Sequence, residues 1–424
     1  MNICYKYLRP GKGKLLAERY SLFASNIHPL RLDIAADAML LPPPSATTHD
    51  CGVATLTRES GITIHPLSCD SDSADWLSQH AQQSWRSCPK EQATVLYAGY
   101  LNPHWGHFIM DSLSRLWPAF LDDAPHYDHI IFLTDIRRRF HPNILQTLEL
   151  TGLMDKIRFI DHPIRFSKVI VPETGIESRH HYGAEVERVY ETIGRNADSR
   201  MLPSAGKKIY LSRGRLGKAR LNEPGSGWTD EFFAANGYTI IYPEQEDAAT
   251  LITALRGADT VAALSGTLPH NMVFARPGTR LEVIEKSPGI NNYQQAVDLM
   301  RRLDALYIDA NAMIWTTDPG LGPFIIYPNH LMRAFCADMR LTPPAPWTPR
   351  KKRNILKRFF SLYRRHYGRQ WILPEWMECE ISILREAYAD SSTDFGCWIS
   401  GRRLLDAIDL LSPRYFAKWL LHLK

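Results

Sequence analysis

From Ala93 to Glu285 the chain alternates short apolar runs with amphipathic stretches, and this rhythm leaves few architectures open. TVLYAGY, HIIFLT, KIRFI and KVIVPE read as strands, separated by the helical patterns HWGHFIMDSLSRLWPAFL and HPNILQTLELTG. In the first helix Trp105, Phe108, Ile109, Leu113, Leu116 and Phe120 form the apolar set. A helix over 184–196 and a turn over 203–206 precede a second series: KKIYLSR, TDEFFAANG, YTIIYP, DAATLITALRGA, TVAALSG, LPHNMVFA and TRLEVIE, strand and helix in turn. Gly237 and Gly257 stand where helix stops belong. Strands that alternate with helices build parallel sheets covered on both faces, so the expected class is α/β, with two Rossmann-like, doubly wound units facing across a cleft.

The expected divisions are a mixed amino-terminal segment (1–92), a first Rossmann-like domain (93–202), a second (203–340), and a Pro-rich linker with a basic helical tail (341–424). The linker is LTPPAPWTPRKKR, Leu341–Arg353. In the first segment Asp70-Ser71-Asp72 spells the DxD of some metal-using sugar transferases, but within a Ser/Asp cluster and without a preceding strand it reads as a solvated turn.

Composition narrows the setting. Of 424 residues 45% are hydrophobic, enough for two or three ordinary cores. The seven cysteines are scattered without a CxxC pair, which points to a reducing compartment and away from structural zinc, so no metal is expected. The first residues lack the apolar core of a secretion signal and no uninterrupted apolar run reaches about 18 residues, so the expectation is a soluble or peripheral cytoplasmic protein. The net charge of +5 is local: Arg350–Arg369 holds nine Lys or Arg and no acid. Lys351, Lys352, Arg353, Lys357, Arg358, Arg364 and Arg365 interleave there with Ile355, Leu356, Phe359, Phe360, Leu362 and Tyr363, as on an amphipathic helix lying on anionic lipid. A solvated helix face explains the same pattern, and nucleic acid is not the expected partner.

Three stretches can carry chemistry. Asn102, His107 and Asp111 follow the strand TVLYAGY, and His107 and Asp111, four apart, share a helix face at its carboxyl end. A carboxylate or imidazole there can deprotonate a hydroxyl. An Asp111–Arg115 surface pair is the plainer alternative. SRGRLGKARLNE, Ser212–Glu223, is a basic loop whose Arg213 and Arg220 forks match phosphate oxygens. AALSGTLPHNMVFARPGTR, Ala262–Arg280, is a strand, glycine turn and helix start, with Gly266, Thr267, His270 and Asn271 placed to meet a diphosphate. Thr267 also serves as an ordinary N-cap. Neither GxGxxG nor the Walker spelling occurs in it, so a nicotinamide cofactor and ATP hydrolysis are not indicated. Glu285, on the next strand, is placed to hold ribose hydroxyls.

YAGYLNPHWGHFIMDSLSRLWP resembles the N-x(4)-H-x(3)-D block of glycosyltransferase family 61, a family of bacterial capsule loci and of eukaryotic xylosyl- and N-acetylglucosaminyltransferases. YLSRGRLGKARLNE and the run from Gly237 to Glu285 resemble its later blocks, so the likeness covers about residues 93–290. It implies a GT-B enzyme, inverting and metal-independent, that takes a nucleotide sugar as co-substrate and has no cofactor. Asp111 is then the base and His107 its partner, while Asn102, Arg213, Arg220, Asn222, Gly266, Thr267, His270, Asn271 and Glu285 are the nucleotide-sugar set. The implied partners are a donor and a glycan or lipid-linked glycan acceptor in capsular or LPS-type polysaccharide assembly, at the inner face of the plasma membrane. Many members carry His-Gly where this chain has Ser265-Gly266, which raises the question whether His270 substitutes. The acceptor-specific part is not matched in residues 1–90. A catalytically silent GT-B-like membrane scaffold and a polysaccharide pyruvyl-type transferase are the alternative readings.

Overall fold

The computed structural model describes residues 2–43, 50–57, 61–68, 71–135, 140–178, 180–199, 207–217, 222–287, 289–291, 293–312 and 322–367. Arg220, Asp70 and the tail beyond Tyr367 lie outside them. The chain opens with β1 (Asn2–Tyr7), α1 (Pro10–Ser25), β2 (Leu32–Leu41), β3 (Gly52–Thr57), β4 (Gly61–Ile64) and α2 (Ser71–Ser84). It continues through β5 (Lys90–Tyr100), α3 (Trp105–His107), β6 (His129–Leu133), α4 (Pro142–Leu150), β7 (Ile157–Ile160) and β8 (Ile164–Pro172). A hairpin of β9 (Ile176–Glu177) and β10 (His181–Tyr182) leads to α5 (Val186–Asp198). Then follow β11 (Lys208–Leu211), α6 (Trp228–Ala235), β12 (Thr239–Ile241), α7 (Ala248–Gly257), β13 (Thr260–Leu264) and β14 (Arg280–Glu285). The last described elements are α8 (Gln294–Met300), β15 (Asp304–Asp309), α9 (His330–Asp338) and α10 (Pro349–Tyr367).

One sheet is six-stranded and wholly parallel, in the order β1-β15-β14-β13-β11-β12. Counted from β11 this is a doubly wound order that reverses between β11 and β13, the crevice where open α/β sheets bind ligands. Every residue of β13 and the last five of β14 are buried, as in a strand covered on both faces. The other sheet has seven strands, β4-β3-β2-β8-β5-β6-β7. Its β8, β5, β6 and β7 run parallel, whereas β2, β3 and β4 are antiparallel. The doubly wound expectation therefore meets a mixed sheet here, because a connection as short as that between β3 and β4 joins only antiparallel strands. The segment expected as 1–92 divides: β1 lines the edge of the parallel sheet, and β2–β4 complete the mixed one.

Successive residues of β5 alternate between two cores, Leu96 and Ala98 on one side, Val95 and Tyr97 on the other. The first core is common to both sheets. Phe23 of α1, Leu148 of α4, Ile193 of α5 and Leu255 of α7 meet there with Phe132 of the mixed sheet and Ile209 and Leu281 of the parallel one. Ion pairs reinforce this layer: Arg256 holds Glu191 and Asp198, and the fully buried Arg301 holds Glu187 and Glu191.

The far face of the parallel sheet corrects two expectations. The Pro-rich stretch is anchored by the buried Trp347, and α10 starts inside it. Ile355 and Phe359 of α10 are buried with Trp228, Met332 and Phe335, so its apolar side packs on the protein. Lys351, Arg353, Lys357, Arg358 and Arg365 are exposed, while Lys352 lies over the Tyr327 ring. Arg364 belongs to the same helix. Among the described residues no helix is long and apolar enough to cross a membrane.

Candidate active site

At the end of β5 the Asn102 side-chain oxygen accepts the His104 N–H at 2.9 Å, so Asn102 shapes the turn into α3. The long regular helix expected from here does not form. After α3 the backbone widens into a π-helical turn, Phe108–Ser112, closed by Leu113 N–H to Phe108 C=O at 2.9 Å, then tightens into a 3-10 segment, Ser114–Phe120, containing Pro118. Proline removes one N–H from the ladder, and π-turns re-aim side chains at functional positions. The expected pair nevertheless forms, with His107 Nδ1 2.8 Å from Asp111 Oδ2. Arg115 is occupied elsewhere, donating to the carbonyls of Leu67 and Pro172. The hydrogen bond to Asp111 raises the His107 imidazolium above its ordinary range.

The parallel sheet closes on this pair from the other side. Gly106 meets Thr267 so closely that a Cβ on it would lie 2.7 Å from Thr267 Cγ2. Thr267 packs against that backbone and makes no side-chain cap bond, so the N-cap alternative for it does not hold. Trp105 Nε1 donates to Asn271 Oδ1 at 2.8 Å, and Asn271 Nδ2 donates to the Leu268 carbonyl. Tyr293 Oη donates to Asp111 Oδ1 at 2.9 Å.

Behind Tyr293 stands Asn291. Its Oδ1 accepts the Tyr293 N–H and the His270 Nε2–H, each at 2.9 Å, and its Nδ2 reaches the Gly266 carbonyl at 3.5 Å. An oxygen that accepts both bonds fixes the His270 proton on Nε2 and leaves the Nδ1 lone pair buried without a hydrogen-bond partner. Burial lowers the His270 pKa to about 4, so the ring is neutral near pH 7. A continuous path thus runs from the Gly266 turn through Asn291 and Tyr293 to Asp111 and His107.

The diphosphate turn is built differently from its sequence reading. Leu268–Phe274 is a seven-residue 3-10 segment, too short for much helix dipole. The charge comes from side chains. Gly266 has φ +122°, and a Cβ there would sit 3.4 Å from Lys286 Nζ and 3.9 Å from Arg213 Nη1, so the absent side chain leaves space bordered by two cations. Both cations reach Glu223 Oε1, Lys286 at 3.1 Å and Arg213 at 3.2 Å. Burial lowers the Lys286 ammonium pKa. Asn222 C=O accepts the Phe324 N–H at 2.7 Å, and Lys286 Nζ lies 4.7 Å above the Phe324 ring.

Ser265 Oγ accepts the Lys286 N–H at 3.2 Å, which gives Ser265 the job of holding two strand ends together. His270 stands beside the path to Asp111, attached to it through its Nε2–H bond to Asn291. The expectation that Glu285 holds ribose hydroxyls meets a carboxylate that is already engaged: it is 4% exposed, and Lys12 of α1 donates to it at 2.8 Å. Lys286, Glu223, Asn291 and Tyr293 were not singled out as binding residues from the sequence. Lys286 follows a strand end and Glu223 closes the basic loop after β11, both detectable signals, whereas Asn291 and Tyr293 lie in a loop without a motif.

Residues 105–281 match the family model described as Glycosyltransferase 61, a span that runs from the start of α3 into β14 and contains His107, Asp111, Arg213 and the Gly266 turn. The match supports glycosyl transfer as the class of activity, with a sugar donor and an acceptor. A comparison with curated proteins gave no match.

Proposed function

We propose that the chain is an inverting glycosyltransferase of the GT-B type, which moves a sugar from a nucleotide-sugar donor to a hydroxyl of a glycan acceptor. The observation that carries this reading is Asp111, gripped on one oxygen by His107 and on the other by Tyr293, within one hydrogen-bonded path of the Gly266 turn. Inversion needs a base on the acceptor side and stabilisation of the departing diphosphate opposite. Asp111 takes the acceptor proton. Arg213 and Lys286, beside the space at Gly266, meet the developing diphosphate charge, and two such cations do the work that a divalent ion does elsewhere. Asn222, His270 and Asn271 shape the donor wall. Glu285 is left out of the donor set because Lys12 holds it.

One observation favours a variant of this mechanism. His107 uses Nδ1 on Asp111, and its side chain is 48% exposed, so Nε2 can take the proton while Asp111 orients the ring. The pH dependence of kcat/KM separates the two: an acidic limb above pH 6.5 marks His107 as base, and its absence leaves that role to Asp111.

The test of the function is a thermal-shift screen with nucleotides and nucleotide sugars, followed by transfer assays with the stabilising donor. Stabilisation by one nucleotide class is the expected result. No shift at millimolar ligand contradicts donor binding and favours the scaffold reading, whereas turnover with phosphoenolpyruvate alone favours pyruvyl transfer. The exposed cations of α10 suit an anionic membrane surface by charge alone, since Ile355 and Phe359 face inward. Flotation with anionic vesicles that salt releases is then expected; equal flotation with neutral vesicles contradicts it.

A further inference from the structure

His28, Glu173 and His181 come together from three separate parts of the chain: the connection from α1 to β2, the residue after β8, and strand β10. One ligand atom from each lies within 4.8 Å of the others. The two imidazoles face the carboxylate. His28 Nδ1 donates to the Asn26 carbonyl at 3.0 Å, and its Nε2 lies 3.4 Å from Glu173 Oε1. His181 Nδ1 lies 3.3 Å from Glu177 Oε2, and its Nε2, 3.9 Å from Glu173 Oε1, is buried with no hydrogen-bond partner. His181 Nε2 is thus turned toward the carboxylate with no hydrogen bond to satisfy it, and a metal ion between the three groups would do so.

Arg31 supplies positive charge from outside, donating Nη2 to Glu173 Oε1 at 3.2 Å and Nε to Oε2 at 3.3 Å. The guanidinium leaves His181 Nε2 unanswered.

We propose that His28 Nε2, His181 Nε2 and Glu173 Oε1 form a zinc site. Two imidazole nitrogens and one carboxylate are a common zinc donor set, with the fourth position left to water. The carboxylate of Glu177 on His181 Nδ1 is the outer partner that such ligands use to fix ring orientation. Contraction to about 2 Å bonds needs shifts of an ångström or less along each side chain. The absence of paired cysteines, which argued against zinc in the sequence, does not bear on a site made of histidine and carboxylate.

Its place in the fold gives the ion a role. α1 packs with the parallel sheet through Lys12 and Glu285, while Glu173 ends a strand of the mixed sheet, so zinc would clasp the chain where it passes from one sheet to the other. The Glu173 carbonyl also accepts the Trp117 Nε1–H at 3.0 Å, which ties the site to the segment that follows Asp111.

The experiment uses the full chain, purified without a histidine tag, stripped with chelator and titrated with Zn²⁺ alone. The expected result is one equivalent retained through gel filtration, measured by elemental analysis, and a rise in Tm that chelator reverses. His28→Gln, whose side chain is partly exposed, and His181→Asn should each lose the retained zinc and the Tm response, and Glu177→Gln should weaken zinc binding by about 10- to 100-fold. Folded wild-type protein that retains no zinc overturns the proposal, as does zinc retention unchanged in both His28→Gln and His181→Asn. If His181→Asn fails to fold, His28→Gln decides the matter alone.

Discussion

His270 has lost much of the basicity of an exposed imidazole. Its ring is buried against Asn291 and Tyr293, with His104, His107 and Asp111 the charged or titratable groups around it. A histidine whose folded pKa drops to about 4 from 6.5 binds its proton more readily in the unfolded chain. The stability it contributes is complete above pH 6.5 and disappears as the pH falls toward 4, a loss on the order of 3 kcal/mol. His107 has the opposite sign, because its raised pKa makes its contribution greatest below pH 6.5 and lost above the raised value; being half exposed, it contributes less. Urea denaturation of wild type and His270→Gln between pH 4 and 7 checks this. The variant should show a markedly shallower acid slope, and parallel curves would contradict the assignment.

At the scale of elements, the meeting of α3 with the Gly266 turn is the contact that brings the two sheets to one site. Gly106→Ala places a methyl 2.7 Å from Thr267 Cγ2, so it should cost about 1–3 kcal/mol in chemical denaturation and reduce transfer. Thr267→Ser, which deletes that methyl, should restore part of both. A second contact of this kind is Lys12 with Glu285. Lys12→Met leaves a buried, unpaired carboxylate and should cost roughly 3–5 kcal/mol, while the double variant with Glu285→Gln should recover much of it. Equal losses in the single and double variants would mean that the ion pair is not what holds α1.

These elements also show how far the sequence reaches. The strands and most helices from Ala93 to Glu285 are legible because each carries its own apolar period, although the stretches after Trp105 and Leu268 fold as π and 3-10 turns; His107 with Asp111 is legible because i, i+4 spacing survives a π-turn. What depends on remote pairing is not. Asn2–Tyr7 joins the parallel sheet through Asp304–Asp309, about 300 residues away, and no local pattern announces that. Thr267 looked like a cap because capping is a local preference, but Gly106 from another segment claimed its side chain. Glu285 looked available at a strand end until Lys12 was found on it.

For the whole molecule, two sheets that share one helical core deliver a carboxylate–imidazole pair from one and a cationic turn from the other to a single path of hydrogen bonds. That arrangement, with the glycosyltransferase match over 105–281, makes proton abstraction at Asp111 and His107 the central claim. The most direct test is Asp111→Asn, assayed for sugar transfer and for donor binding on the same preparation. Transfer should fall by at least about 10²-fold, the scale of lost general-base catalysis, with donor binding retained. Transfer near the wild-type rate would contradict the account.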